Sequence, residues 1–543
     1  MNLTKYISYA LIAVLTVTLF SCNLDKFEEY NTDPYSVTPE HQKGDWLYLG
    51  GYITQMEKSI YSNANNWDWD FQIAQNLGAD IFSGYMAPPT PFNGDKNNAN
   101  YNLMGGWNLW SFKIYNERVM APWLKLKKLT KDKDEFLEIY AVANILKVTA
   151  MMRNTDTYGP IPYSKYGEGG VSVAYDSQES VYMQFIQELD EAQKILRDFF
   201  ESDRKDVKAI QLYDIVYQSD YKKWMRYANS LRLRLAVRIS KVKPELARQE
   251  AEKALKDEYG VIENNKDNFI VSTKTMKNPL NILAYAYNDI RMSADMESIL
   301  LGLNDPRIEV FFAKATDKDP KINGRYVGVR QGINVLNKGI REGYSNLGEA
   351  WKMGNEFNND ICLLNAAEVC FLRAEGALRG WKMGGTAKDL YEEGIKHSFE
   401  YWKVGSPDTY TQGTTKPTNY VDPKAPEYNA DAASTVTVKW DDGASKEELL
   451  EKVITQKWIS IFPDGQEAWT EFRRTGYPKQ FPMAVNNSAG IIDSNIKIRR
   501  LPFSEDEYRD NKAEVEKAIT LLGGPDNGAT QLWWDTNAGK SNF

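Results

Sequence analysis

The chain has 543 residues, a net charge of -8, 42% hydrophobic and 13% aromatic residues, with 15 Trp and 32 Tyr. This is a soluble composition with ample material for a large core, and its acidic balance argues against nucleic acid, whose phosphates need basic patches. The only histidines, His41 and His397, are read as surface residues, and so few exclude an HExxH helix, a Ser–His–Asp triad and a His-rich metal site; no GxxxxGK[ST] phosphate loop occurs either.

The N-terminus comes first. Lys5 precedes an apolar run from Ile7 to Phe20. The run is shorter than the roughly 20 residues of a membrane span and fits the h-region of a secretory signal peptide. It ends in Leu19, Phe20, Ser21 and Cys22, which resembles a bacterial lipobox. That resemblance implies cleavage before Cys22 and lipid (palmitate) on its thiol and amine. Asp25, Glu28 and Glu29 follow and resemble a signal for the outer face of the cell. The rival reading is a secreted protein with an incidental Cys22. The expected organisation is a signal peptide over 1–21, a lipidated tether over 22–40, and one domain over 41–543. Cys362 and Cys370 lie eight residues apart in an expected helix. That is about 12 Å along the axis, beyond the roughly 7 Å a disulfide spans.

Past the tether, helical periodicity dominates. Apolar residues on one face predict helices over 134–153 (Phe136, Tyr140, Ala143, Leu146, Ala150) and 178–199 (Val181, Phe185, Leu189, Ala192, Leu196). Further helices are predicted over 221–240 (Trp224, Tyr227, Ala228, Leu231, Leu235) and after Pro244 (Ala247, Ala251, Leu255). A last pair covers 362–379 and 387–402 across the turn WKMGG. Small residues (Ala374, Gly376, Ala377, Ala387, Gly394) sit where paired helices must approach closely. The pairs resemble tetratricopeptide hairpins. Three stretches read as irregular: 61–106, 304–349 and 406–445. Long loops on a helical scaffold are the usual place for binding.

Several segments together resemble the SusD/RagB family of nutrient-binding outer-membrane lipoproteins. They are NTDPYSVTP after the lipobox, NTDTYGPIPY (154–163), KWMRYANSLRLRLAVRIS (223–240) and NDPRIEVFF from Asn304. NAAEVCFLRAEGALRGW (365–381), ITQKWISIFPDGQEAWTEFRRTGYP (454–478), RRLPFSEDEY from Arg499 and LLGGPDNGATQLWWD complete the set. The resemblance implies an all-α fold of tetratricopeptide-like helix pairs in a right-handed superhelical scaffold with long irregular binding loops. It also implies capture of an oligosaccharide, or a peptide in the RagB branch. Delivery would be to a SusC-like TonB-dependent transporter at the outer membrane, with the chain lipid-anchored and facing the extracellular side. No catalysis and no cofactor is implied.

Most of these motifs read as structural. The arginines of RLRLAVR can pair with Glu368, Glu375 or Glu471 between helices. Trp458, Trp469 and Phe472 read as core, and Arg473 and Arg474 as inter-helix ion pairs. Sugar binding needs aromatic faces beside planar polar groups. The stretch from Tyr61 to Trp110 offers Trp67, Trp69, Tyr85, Phe92, Tyr101 and Trp107 as ring contacts, among Asn65, Asn66, Asn93, Asn97 and Asn98. A second cluster holds Arg291, Arg325, Tyr326, Arg330 and Tyr344, of which Arg291 and Tyr326 are the chosen contacts. No metal site is expected, since Asp317, Asp319 and Asn323, or Asp441 and Asp442, lack the spacing of a calcium loop. The rival functions are an all-helical glycoside hydrolase with two carboxylates in a cleft, and an adhesion lipoprotein without a small ligand.

Overall fold

The computed structural model describes residues 46–61, 68–94, 96–169, 172–272, 277–352, 360–536 and 539–543. Helices of ten or more residues are numbered in chain order. They are α1 (Leu47–Ser59), α2 (Gly105–Tyr115), α3 (Ala121–Thr130), α4 (Leu137–Tyr158), α5 (Gln178–Glu201) and α6 (Tyr221–Arg238). Then come α7 (Pro244–Lys256), α8 (Ala366–Leu378), α9 (Ala387–Trp402), α10 (Lys446–Ser460), α11 (Gly465–Thr475) and α12 (Lys512–Leu522).

Local sequence starts these helices where they start. Ser177, Asp220, Asn365 and Thr386 each accept a hydrogen bond from a backbone N–H in the first turn of α5, α6, α8 and α9. Ser445 and Glu448 form a reciprocal capping box at α10. Each cap satisfies an N–H that helix geometry leaves unpaired and is worth about 1 kcal/mol.

The helices pack as antiparallel neighbours: α4 on α5, α6 on α7, α8 on α9. Contacts of α5 with α6, of α6 with α8 and of α8 with α10 join the pairs into one stack. Small residues permit the approach. A Cβ on Gly394 of α9 would lie 2.7 Å from the Phe371 ring of α8. The helix-pair reading of the sequence therefore holds, with boundaries moved by a few residues.

Charged residues, not only apolar ones, fill the seams. Arg234 of α6 donates to Glu368 of α8 through Nε at 2.8 Å and Nη2 at 2.6 Å. Arg238 reaches Glu467 and Glu471 of α11 at 2.7 and 3.0 Å. Lys457 of α10 lies within 3.4 Å of Glu368, Glu467 and Glu471. Arg474 is bidentate to Glu375 of α8 at 2.7 and 2.6 Å. All of these side chains are buried. Buried ions persist only when paired and fully hydrogen-bonded. Burial opposes ionisation of Glu467, but Arg238, Arg234 and Lys457 outweigh it and hold the carboxyl down at about 2. Arg473 departs from its expected ion pair: its guanidinium lies 3.6 Å from the Trp469 ring centre and donates to the Arg499 carbonyl. Trp458, Trp469 and Phe472 are core, as the sequence reading has them.

Short strands tie loops to this stack. β1 (Met86–Ala87) pairs antiparallel with β5 (Arg291–Met292), β2 (Ile161–Pro162) with β3 (Tyr175–Asp176), and β4 (Phe269–Val271) with β6 (Ile361–Leu364).

Three expectations change. Cys362 lies on β6, not in a helix, because Asn365 caps α8 and fixes its start after the strand. Cys362 and Cys370 are both free thiols. His397 is buried on α9, with Nε2 3.2 Å from Glu393 and Nδ1 3.5 Å from Glu400, so it is not a surface residue. The stretch 61–106 is not irregular throughout. It carries short helices at Asp68–Phe71 and Ala79–Phe82, a π-helix at Gln72–Asn76 and a 3-10 turn at Asn98–Asn100. His41, Cys22, Asn65, Asn66 and Trp67 lie outside the described residues.

Candidate functional site

The stretch from Asp68 to Tyr115 builds the candidate surface from its own core outward. Phe71, Ile81, Phe82, Tyr85 and Tyr101 turn inward and are buried. Tyr85 is 0% exposed; its hydroxyl donates to the Trp458 carbonyl and its ring packs 4.9 Å from that of Trp458. Tyr101 is 3% exposed and packs on Phe82, at a left-handed φ of 65°. Neither ring offers a face to a ligand, which corrects their selection as ring contacts. They anchor the loop instead.

Four aromatics keep part of their surface open to solvent, Trp69 most of all. Trp107 and Trp110 stand three residues apart on α2, a spacing that puts both on one helix face. Trp69, 40% exposed, meets Trp110 at a centroid distance of 4.7 Å and an interplanar angle of 85°. Phe92 meets Trp107 at 6.1 Å and 89°. Edge-to-face contact is the preferred pairing of aromatic quadrupoles and fixes ring orientation. Lys113 places its ammonium 5.1 Å from the Trp110 ring centre.

The asparagines near these rings hold the loop. Asn97 Oδ1 accepts from the Ala99 N–H at 2.9 Å. Asn98 donates to the Leu77 carbonyl and to Asn108 Oδ1, and accepts from the Met104 N–H. Asn93 Nδ2 lies 3.2 Å from Met104 Sδ.

Asp289 joins the aromatic strip to a second loop. Its carboxylate accepts from Thr90 Oγ1 at 2.5 Å, from Gln72 Nε2 at 3.2 Å and from Lys338 Nζ at 3.0 Å. Thr90 is two residues from Phe92 and Gln72 three from Trp69, so one carboxylate braces both ring-bearing segments. Lys338 also donates to the carbonyl of Tyr287, an exposed aromatic. Sequence reading missed Trp110 and Tyr287. The spacing of Trp107 and Trp110 carried a helical signal; Tyr287 carried none, being one of two tyrosines in AYAYND.

Arg291 and Tyr326 belong to a different region. Arg291 is 1% exposed on β5. Its guanidinium is spent on the carbonyls of Glu342, Ile290 and Asn288 and on Asn288 Oδ1, and burial lowers its pKa to about 10. It is thus a loop clamp and not a free ligand contact, although it forms part of the wall of a cleft of about 780 Å³ with Tyr285, Lys314, Tyr344 and Lys352. Tyr326 is half-buried, with the Lys314 ammonium 5.9 Å from its ring centre. Tyr344 donates to Asp422, and Arg330 stacks on Phe481.

Among the described residues, no three His, Cys, Asp or Glu side chains converge in a way that could hold a metal. Asp317 is engaged by Lys424 and the Asp319 N–H, Asp441 by the Gly443 N–H, and Asp442 by the Trp440 indole. No helix among the described residues is long and apolar enough to cross a membrane.

Comparison with known proteins places the chain. The family model SusD-like, described as SusD and RagB outer membrane lipoprotein, matches residues 29–535. No curated protein sequence matches. A chitin-binding SusD homologue from Flavobacterium johnsoniae is 43% identical, with a TM-score of 0.86 over 91% of this chain and 100% of its own. A SusD homologue from Bacteroides vulgatus is 38% identical, with a TM-score of 0.86 over 92% of this chain and 100% of its own. A SusD-like protein from Bacteroides thetaiotaomicron is 33% identical, with a TM-score of 0.83 over 91% of this chain and 100% of its own. By the extent of these matches, the chain belongs to the SusD-like family of outer-membrane lipoproteins.

Proposed function

We propose that this protein binds glycan on the strip formed by Trp69, Trp110, Trp107 and Phe92, and passes it uncut to a SusC-like TonB-dependent transporter. The observation that carries the reading is the pair of edge-to-face aromatic contacts on a braced loop and helix, with Trp69 exposed and its three neighbours half-buried. Flat apolar faces receive the C–H faces of sugar rings, and adjacent polar groups orient the hydroxyls. Asp289, through Thr90 and Gln72, holds the ring-bearing segments in place for that contact. The ligand class follows from the Flavobacterium johnsoniae homologue, which is chitin-binding and 43% identical: oligosaccharides of β-linked N-acetylglucosamine are the first ligand to test. Trp67, beside Trp69 in sequence, joins the proposed contacts. Residues 41–543 act as one binding domain. Lipid on Cys22 holds the protein to the outer membrane, facing outward.

The test is affinity electrophoresis of the processed chain against a panel of soluble polysaccharides, with a reducing-end assay on the same samples. Retardation by a chitin derivative without new reducing ends is expected. Released reducing ends would mean a hydrolase, and retardation by no glycan would shift the cargo to peptides.

A further inference from the structure

Five lysines, Lys125, Lys127, Lys128, Lys131 and Lys133, fall within nine residues at and just after α3. In a chain of net charge -8 such a run is a local reversal of sign. Its members are unneutralised. Lysines elsewhere on the surface, such as Lys194, Lys243 and Lys253, sit within 2.7 Å of a carboxylate. Among the described residues none of these five makes an ion pair.

Three are set by rings instead: Lys125 over Tyr52 at 5.4 Å, Lys127 over Trp123 at 5.1 Å, and Lys133 over Phe136 at 5.6 Å. Aromatic faces steady an ammonium without cancelling its charge. Lys127, Lys128 and Lys131 also line a cleft of about 690 Å³, whose floor holds the buried Lys147 bonded to Glu188. The acidic residues close by are Asp132, Asp134 and Glu135 on the same segment, and Glu168, Glu188 and Glu191 across the cleft. Glu188 and Glu168 are already paired, with Lys147 and Lys165.

We propose that this lysine face docks on a membrane surface bearing anionic, phosphate-containing headgroups, and so orients the tethered protein. The inference rests on the reading that Cys22 carries a lipid anchor. Phosphate headgroups match the charge of this face, and the lipid anchor read at Cys22 precedes α1 by 25 residues of sequence, which selects a membrane over an acidic protein. A basic patch on a lipid-anchored chain supplies the second signal that makes anchoring stable. Each lysine near an anionic surface contributes independently and is screened by salt.

The test is co-sedimentation of the processed chain carrying Cys22→Ser, so that no lipid contributes. Vesicles of phosphatidylcholine alone are compared with vesicles containing phosphatidylglycerol, at low and high salt. A variant with Lys125→Gln, Lys128→Gln, Lys131→Gln and Lys133→Gln is compared with a control carrying Lys382→Gln, Lys388→Gln, Lys416→Gln and Lys439→Gln, which has the same net charge. The unmutated chain and the control should sediment with anionic vesicles only, less at high salt. The α3 variant should bind at least about tenfold more weakly. Failure to bind either vesicle, equal binding to both, or equal loss in the two variants would overturn the proposal. Glycan retardation of the same variants reads the capture function separately, and should be unchanged.

Discussion

The indole of Trp110 holds that of Trp69 edge to face, at 4.7 Å and 85°. One ring belongs to α2 and the other to the short helix Asp68–Phe71, so the contact transfers the rigidity of α2 to the loop. Removing the partner should loosen the platform without unfolding the protein. Trp110→Ala is expected to weaken glycan binding by about two- to tenfold, the equivalent of the 0.5–1.5 kcal/mol of an aromatic pair. Calorimetric titration measures the affinity, and an unchanged far-ultraviolet dichroism spectrum checks the fold. Tyr85→Phe should do the reverse. It forfeits the hydroxyl bond to Trp458 and about 1 kcal/mol of stability, while affinity stays the same.

Asp289 is a positioning residue. It touches Thr90 and Gln72, which flank the ring-bearing positions, and Lys338 on a second loop. Asp289→Ala should lower glycan affinity several-fold. Because Lys338 lies at the surface, the loss of thermal stability should be small. Asp289→Asn, which retains an acceptor for Thr90, should recover part of the affinity; a matched loss in both variants would place Asp289 in direct contact with the sugar.

Arg234 and Glu368 hold α6 against α8 through two hydrogen bonds in the buried seam. Arg234→Met strands a buried carboxylate beside Lys457 alone and should cost about 3–5 kcal/mol. Adding Glu368→Met should restore part of that loss. Lys457 keeps Glu467 and Glu471 within 3.4 Å, so the double variant leaves no orphan charge. Chemical denaturation of the four species gives the coupling.

The same seam sets the response to acid. Glu467 is held at about 2, and Arg474, Lys457 and Arg238 overcome burial to hold Glu471 well below the usual range of 4.5. Carboxyls whose pKa falls on folding contribute stability that is complete above about 4.5 and is lost as pH drops toward 2. Asp80 and Glu297 work in the opposite direction. Desolvation pushes each up to about 7 against the hydrogen bonds they accept. Their contribution is complete below about 4 and is lost as pH rises through 7. The melting temperature should therefore peak near pH 5 and fall on both sides. Glu297→Gln should make the neutral limb shallower, the remainder resting on Asp80, and leave the acid limb in place.

The helical scaffold was legible because its signals are local. Ala143, Leu146 and Ala150 repeat at helix spacing, whereas the cap at Asn365 went unread, which is why Cys362 is expected in a helix and lies instead on β6. Arg234 and Arg238 of RLRLAVR meet the expected acids at Glu368 and Glu471, because helix periodicity places charges as surely as apolar groups, but Arg232 pairs with Glu250 and Asp190, and Glu375 with Arg474. The binding loop was only half legible. Composition located the aromatics, but Tyr85, Tyr101 and Trp107 look alike in sequence. What separates them is tertiary: whether the chain turns a ring toward Trp458 and Phe82 or leaves it at the surface. The same limit applies to Arg291, whose guanidinium is engaged not only by the nearby Ile290 and Asn288 carbonyls but by that of Glu342, which only the fold brings close.

The most direct test of the account is calorimetric titration of the processed chain with chitin oligosaccharides, set beside Trp107→Ala and Trp69→Ala. Saturable binding by the unmutated chain, with each variant at least about tenfold weaker and normally folded, is the predicted result. Binding that survives both substitutions unchanged would contradict it, and would move the site away from the aromatic strip.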